Sequence, residues 1–301
     1  MYRILLIFLL FGCTITEDVD KIKQRKFATS KVLFVVEDDL WTQKASGIVL
    51  EIFNEDIEGI PQSLPKIIIQ QTNPKKLNQA LKINQGIMGV VFISEGKKIE
   101  INTKNNDEDM LISTMLWDGD ISNLEKKLLD LRTRFIKQEL KVVKEYISRG
   151  SNKEIEKDIK EKFSVNLITP TDYKIIKNAE DIFIANWDHS DSDQNKTILT
   201  YSFKPDSDSL ELEVMLKTDS IFSKYLKGEK ESQFVRIEPN YTPVIMDNTI
   251  RGAWRLENDF IGGFFIVKFY KVKDKVSVSA GVVFSPQTEK RKCVIEMMAI
   301  L

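Results

Sequence analysis

The chain has 301 residues, with 44 Lys plus Arg against 45 Asp plus Glu and a single His. That balance gives no basic field for nucleic acid and no acidic tail for a cationic partner, so nucleic-acid binding is disfavoured. One histidine also excludes multi-histidine metal sites, and no metal or cofactor is expected.

The first thirteen residues, MYRILLIFLLFGC, read as a bacterial lipoprotein leader. Arg3 supplies the charged start, Ile4 to Phe11 is an unbroken apolar run, and Gly12 is the small residue before Cys13. The run is far shorter than the roughly twenty residues a bilayer span needs, so it fits a cleaved signal better than a transmembrane helix. Residues 1–12 are then the signal peptide and Cys13 the lipidation site, where two or more acyl chains give stable attachment. The only other cysteine is Cys293, so acylation of Cys13 rules out an intramolecular disulfide and leaves stability to packing. Polar residues 14–30 complete a tether, 13–30, that holds the folded body off the membrane.

The body begins with KVLFVVE (31–37), an almost wholly apolar strand of the kind covered on both faces. Asp38 and Asp39 open a helix from about Leu40 to Phe53 with Trp41, Ile48 and Ile52 on its inner stripe. GIPQSLP (59–65) breaks it; a strand over 66–72, a short helix over 74–82 and strands over 88–94 and 98–103 follow. This alternation predicts an N-terminal α/β lobe over 31–120. The longest helical signal, 122–150, places Leu124, Leu128, Leu131, Phe135, Val142 and Tyr146 on one stripe. Ser151 to Glu154 has the form of a capping box opening a second helix to Phe163, so 121–163 is expected as a helical connector.

The remainder, 164–301, reads as an α+β lobe. Segments 182–187 and 197–203 form a hairpin about a polar loop, 210–226 alternates like a strand and then turns helical, and 234–237 and 242–246 are β-like. The clearest pattern is the hairpin 263–272 and 276–284, whose second strand alternates Val276, Val278, Ala280, Val282 and Phe284 with Ser277, Ser279 and Gly281, the mark of one buried face. After Ser285 and Pro286 a terminal helix sets Val294, Met297, Met298 and Leu301 on one side, to dock on the sheet. The expected class is therefore α+β: two sub-lobes of mixed or antiparallel sheet with helices packed on them, bridged by a long and a short helix.

Several motifs together resemble a family of uncharacterised Bacteroidota envelope lipoproteins known only as a domain of unknown function. They are Arg251-Gly252-Ala253-Trp254, the run Asn258 to Phe265, Gly281 to Pro286 and Lys290-Arg291, with Asp38 to Trp41, Pro61-Gln62 and Phe163 to Leu167 upstream. Phe264, Leu64 and the loop Glu238 to Tyr241 depart from the family pattern. The resemblance implies an envelope lipoprotein with an α+β body and no catalytic residues.

Few constellations carry chemistry. His189 lies in a loop-forming run and lacks a nucleophile-elbow sequence, so it reads as a hairpin tip. Asp191, Asp193 and Asn195 have the opening spacing of a calcium loop but lack its glycine and final acid. Glu37, Asp38 and Asp39 read as a helix cap, Cys293 as a buried small hydrophobe, and Gly262-Gly263 as a bulge or close backbone approach. Arg251, Trp254, Lys290 and Arg291 are the candidate binding surface, cations around a tryptophan suited to an anion or glycan. The sequence thus points to a non-catalytic, lipid-anchored envelope module in the outer membrane or on the periplasmic side of the inner membrane, with an envelope protein or glycan as partner. The rival is an envelope-polymer hydrolase working through Asp38 and Asp39.

Overall fold

The computed structural model describes residues 31–83, 86–105, 110–190, 192–287 and 290–301. The signal peptide, Cys13 and the tether lie outside the described residues, as does Asp191. The fold is α+β, in two units. Their division falls at 139/140, within the long helix, with residues 56–65 counted in the second unit; the sequence pattern had set 121–163 apart as a connector.

The first unit is a five-stranded sheet of order β2-β1-β3-β5-β4. β1 (Lys31–Val35) runs parallel to β2 (Ile68–Thr72) and β3 (Ile87–Glu95). β5 (Leu111–Trp117) is parallel to β3 and carries the antiparallel edge strand β4 (Glu100–Asn105). From Val32 on β1 is apolar because both its faces are covered: Val32 and Phe34 enter one core, Leu33 and Val35 another. Against the first core lies α1, in which a helical turn Asp38–Leu40, a π-helical turn Trp41–Ala45 and an α-helix Ser46–Phe53 follow one another. Ile52 is buried on it as expected, while Trp41 and Ile48 are only partly buried; Ala45, Val49 and Phe53 complete the stripe. A short helix, α2 (Leu77–Ile83), covers the other face through Leu77. β5 has no counterpart in the expected elements, although Leu111, Ile112, Met115 and Trp117 are all buried.

α3 (Ile121–Arg149) is capped by Asp120, whose Oδ1 accepts from the Ser122 amide at 2.9 Å. Leu124, Leu128, Leu131 and Phe135 are buried as the pattern requires, but Tyr146 is exposed and the buried positions continue as Glu139 and Val143. From residue 140 the helix belongs to the second unit, and there Ile147 packs on that unit's core, so the stripe set by Leu124 to Phe135 no longer decides which positions are covered. Among the described residues no helix is long and apolar enough to cross a membrane.

The second unit is built on an eight-stranded sheet of order β10-β11-β12-β13-β8-β7-β6, with β9 paired to β11. Its strands are β6 (Lys174–Asn178), β7 (Ile182–Asp188), β8 (Asn195–Phe203), β9 (Val235–Ile237), β10 (Val244–Met246), β11 (Thr249–Leu256), β12 (Gly262–Val272) and β13 (Lys275–Phe284). All pairings are antiparallel, and β13 joins the later hairpin to the earlier one through β8. One face packs on α4 (Lys153–Phe163) and α6 (Lys290–Ile300), burying Ile159, Phe163, Phe264, Ile266, Val283, Val294 and Met297. α4 is capped by Asn152, which accepts from the Ile155 amide at 3.2 Å, one position later than the expected box. The other face packs on α5 (Leu210–Tyr225).

Two expectations change here. The stretch 210–226 is helical from its start, because the buried positions are Val214, Thr218 and Phe222, spaced by four, while Leu212 and Leu216 of the apparent alternation face solvent. Glu213 ties down the entering loop by accepting from the Asp206 and Ser207 amides. In β13 both faces are buried rather than one. Ser277 and Ser279 are buried, and α6 lies over Gly281, where a Cβ would stand 2.7 Å from Met297 Sδ.

Candidate ligand-binding cavity

α5 is held to the sheet by a buried hydroxyl pair, Tyr201 and Thr218 at 2.8 Å, and Thr218 also donates to the Val214 carbonyl at 2.7 Å. Burial pushes the Tyr201 phenol well above its ordinary range, so it stays a neutral hydrogen-bonding group. Asp219 accepts from the Ile237 amide at 2.8 Å and from Arg236 Nε at 2.9 Å, fastening β9 to the helix. The helix ends at Tyr225, and Leu226 is already extended, its carbonyl accepting from the Val235 amide. Beyond this turn a cavity of about 350 Å³ opens over β7, β8, β11 and β13.

Its walls are mainly apolar, with Ile184, Leu226, Val235, Trp254, Leu256 and Val282 contributing. Its polar side chains are Asn186, Asn195 and Thr197 on the wall and Tyr225 and Lys227 at the turn. Thr197 Oγ1 donates to Asn186 Oδ1 at 2.9 Å across the β7–β8 pair. Trp254 is fixed as a wall by its indole N–H, which donates to the Val283 carbonyl at 3.1 Å. A mostly apolar concavity of this size with a few grouped polar atoms is the usual form of a small-molecule site. It can hold an apolar body and orient one polar end.

The structure does not bring the four residues of the sequence-derived surface together. Arg251 and Trp254 are three apart on β11, and side chains three apart on a strand point to opposite faces. Trp254 faces α5 and lines the cavity. Arg251 lies towards α6, with Nη1 at 3.5 Å from the Glu58 carbonyl and Nη2 at 3.8 Å from Met298 Sδ. Burial lowers its pKa, against the raising effect of Glu58. Arg291 is 3 % exposed and donates from Nε to the Pro65 carbonyl at 2.9 Å, which makes it a strut for the segment 56–65. Lys290, half-buried, precedes it at the start of α6.

The remaining candidates are placed as follows. His189 is exposed just beyond β7, its ring centroid 4.7 Å from that of Trp187. Asp38 and Asp39 are exposed in the first turn of α1, where Gln71 Nε2 donates to Asp38 Oδ1 at 3.3 Å. Among the described residues no three His, Cys, Asp or Glu side chains are grouped to hold a metal. Cys293 is on the buried side of α6, and burial raises its pKa, so the thiol is not an activated nucleophile.

The cavity residues Asn186 and Thr197 escaped the sequence reading, although a signal existed. Both occupy positions of predicted strands where alternation with Ile182 and Ile184, and with Leu199 and Tyr201, calls for an apolar side chain.

No curated protein matches the chain. Two solved structures are similar over part of it. One is the crystal structure of the STAR-related lipid transfer protein (fragment 25-204) from Xanthomonas axonopodis, at 13% identity over 43% of this chain and 90% of that one, with a TM-score of 0.23. The other, "Putative kojibiose phosphorylase from human microbiome", is 9% identical over 45% of this chain and 19% of that one, with a TM-score of 0.15. Over residues 152–301, from the cap of α4 to the last residue, the chain matches the family described as a domain of unknown function, DUF4837.

Proposed function

We propose that the protein is a lipid-anchored binding module of a bacterial cell envelope, of the Bacteroidota type its motifs resemble, and that its second unit takes up a small, largely apolar molecule. The observation that carries this reading is the cavity under the end of α5, apolar on most sides and polar at Asn186, Asn195 and Thr197. Its walls suit a small amphipathic molecule better than the protein or glycan partner expected from the sequence. Asp38 and Asp39, on which a hydrolytic reading would rest, are exposed at the start of α1 in the other unit, which favours binding over catalysis.

The binding reading is tested by titrating a polarity-sensitive naphthalene dye into the full-length protein and following the emission of the dye itself. Saturable one-to-one binding is expected, weakened about tenfold or more in Val282→Trp, which fills the cavity. Dye uptake unchanged in that variant, or none in the wild type, would remove the cavity as the site.

The anchor is tested separately. Cys13→Ser is expected to move the protein from the detergent phase to the aqueous phase on Triton X-114 partitioning, because the acyl chains, at about 0.8 kcal/mol per buried methylene, are its membrane attachment. Retention of the serine variant in the membrane fraction would exclude lipidation at this residue as that attachment.

A further inference from the structure

On the face of the sheet opposite the cavity, β11 and β12 place Thr249 against Lys268 and Arg251 against Ile266, so Arg251 and Lys268 are diagonal neighbours on one surface. Both reach the same residue of α6: Lys268 Nζ donates to the Met298 carbonyl at 3.0 Å and Arg251 Nη2 lies 3.8 Å from Met298 Sδ. Arg251 Nε is buried with no hydrogen-bond partner among the described residues. Lys144, exposed on the second-unit portion of α3, adds a third positive charge that bears on Lys268. The Glu58 carboxylate acts on Arg251 in the raising direction. The strain of this arrangement shows in Lys268, whose pKa falls to about 8 through burial first, then Lys144 and Arg251.

Gathered like charges disfavour one another, and the cluster becomes favourable only when an anion sits among them. We propose that Arg251 and Lys268, with Lys144 beside them, form a binding site for a small oxyanion, a phosphate or carboxylate group. Arg251 supplies the planar fork and the two lysines supply point charges, a combination matched to a group with several equivalent oxygens. The site is independent of the cavity and uses none of its lining residues.

Calorimetric titration of the detergent-solubilised full-length protein at neutral pH, with inorganic phosphate and with citrate against chloride at matched ionic strength, tests this. Binding of at least one of the two probes is expected, weakened about tenfold in Lys268→Met, the factor that one charge-assisted hydrogen bond carries. Lys144→Ala, on an exposed helix position, is expected to weaken it severalfold without disturbing the fold. Phosphate alone, or citrate alone, would assign the oxyanion. No binding of either probe to the wild type, or unchanged binding in Lys268→Met, would overturn the proposal; should Lys268→Met fail to fold, unchanged binding in Lys144→Ala would do so.

Discussion

Gly263→Ala is expected to destabilise the second unit by about 3 kcal/mol, at the upper end for a single added methyl group. Gly263 stands opposite Trp254 in the β11–β12 pair. A Cβ there would fall on the Val283 carbonyl oxygen and within 2.8 Å of Trp254 Nε1. That carbonyl is the acceptor for the Trp254 indole N–H, so the clash and the loss of a buried hydrogen bond act together. The indole is also a cavity wall, and the variant should therefore show red-shifted tryptophan emission as well as a lower urea midpoint. Gly47→Ala is the control: on exposed α1 its Cβ would meet nothing within 4 Å, and a gain of roughly 0.5–1 kcal/mol is expected from helix propensity. A Gly263→Ala midpoint equal to wild type would mean that β11 and β12 do not approach as described.

Glu296→Leu is expected to cost about 3 kcal/mol, and Lys196→Met less. Lys196 on β8 and Glu296 on α6 pair at 2.6 Å, with the lysine side chain 9 % and the glutamate 22 % exposed. The ammonium also lies 4.6 Å from the centroid of Trp187. Removing Glu296 leaves a cation in the sheet–helix interface that a single aromatic face cannot fully compensate, whereas removing Lys196 leaves a carboxylate still partly in water. The same carboxylate acts on Tyr173, whose pKa is raised well above its ordinary value by burial first and by Glu296 next. The double variant Lys196→Met with Glu296→Leu is expected to return to within about 1 kcal/mol of wild type, since two packed apolar groups replace a desolvated pair. Additive losses in the double variant would show that the two residues are not coupled.

Much of the fold was legible from local pattern. The hairpin β12–β13 is joined by a turn with Lys273 at φ 57, and both its apolar runs are buried. β1 was readable as a strand covered on both sides because nothing polar interrupts Val32 to Val36. The errors have a common cause: a period of two or seven was extended where packing, not the pattern, decides. LELEVML alternates as a strand does, yet its environment selects Val214, Thr218 and Phe222. Ser277 and Ser279 look like a solvated face and are instead buried, while α6 closes over Gly281 in the same row.

The candidate site was less legible, for a geometric reason. Arg251 and Trp254 are close in sequence and were read as one surface, but the pleat separates them to opposite faces of the sheet. The cavity is defined by where α5 stops and by side chains from several strands, which no local window contains. Only the polar pair Asn186 and Thr197 at inward positions left a trace of it.

The central claim is that the second unit holds a small, largely apolar molecule beneath the end of α5. Native mass spectrometry of the full-length protein extracted from its own envelope in mild detergent tests it most directly. The account predicts a single small apolar species bound at one per chain, lost in Val282→Trp while the protein remains folded. A wild-type chain carrying no such species, or a variant that carries it equally, would contradict the account.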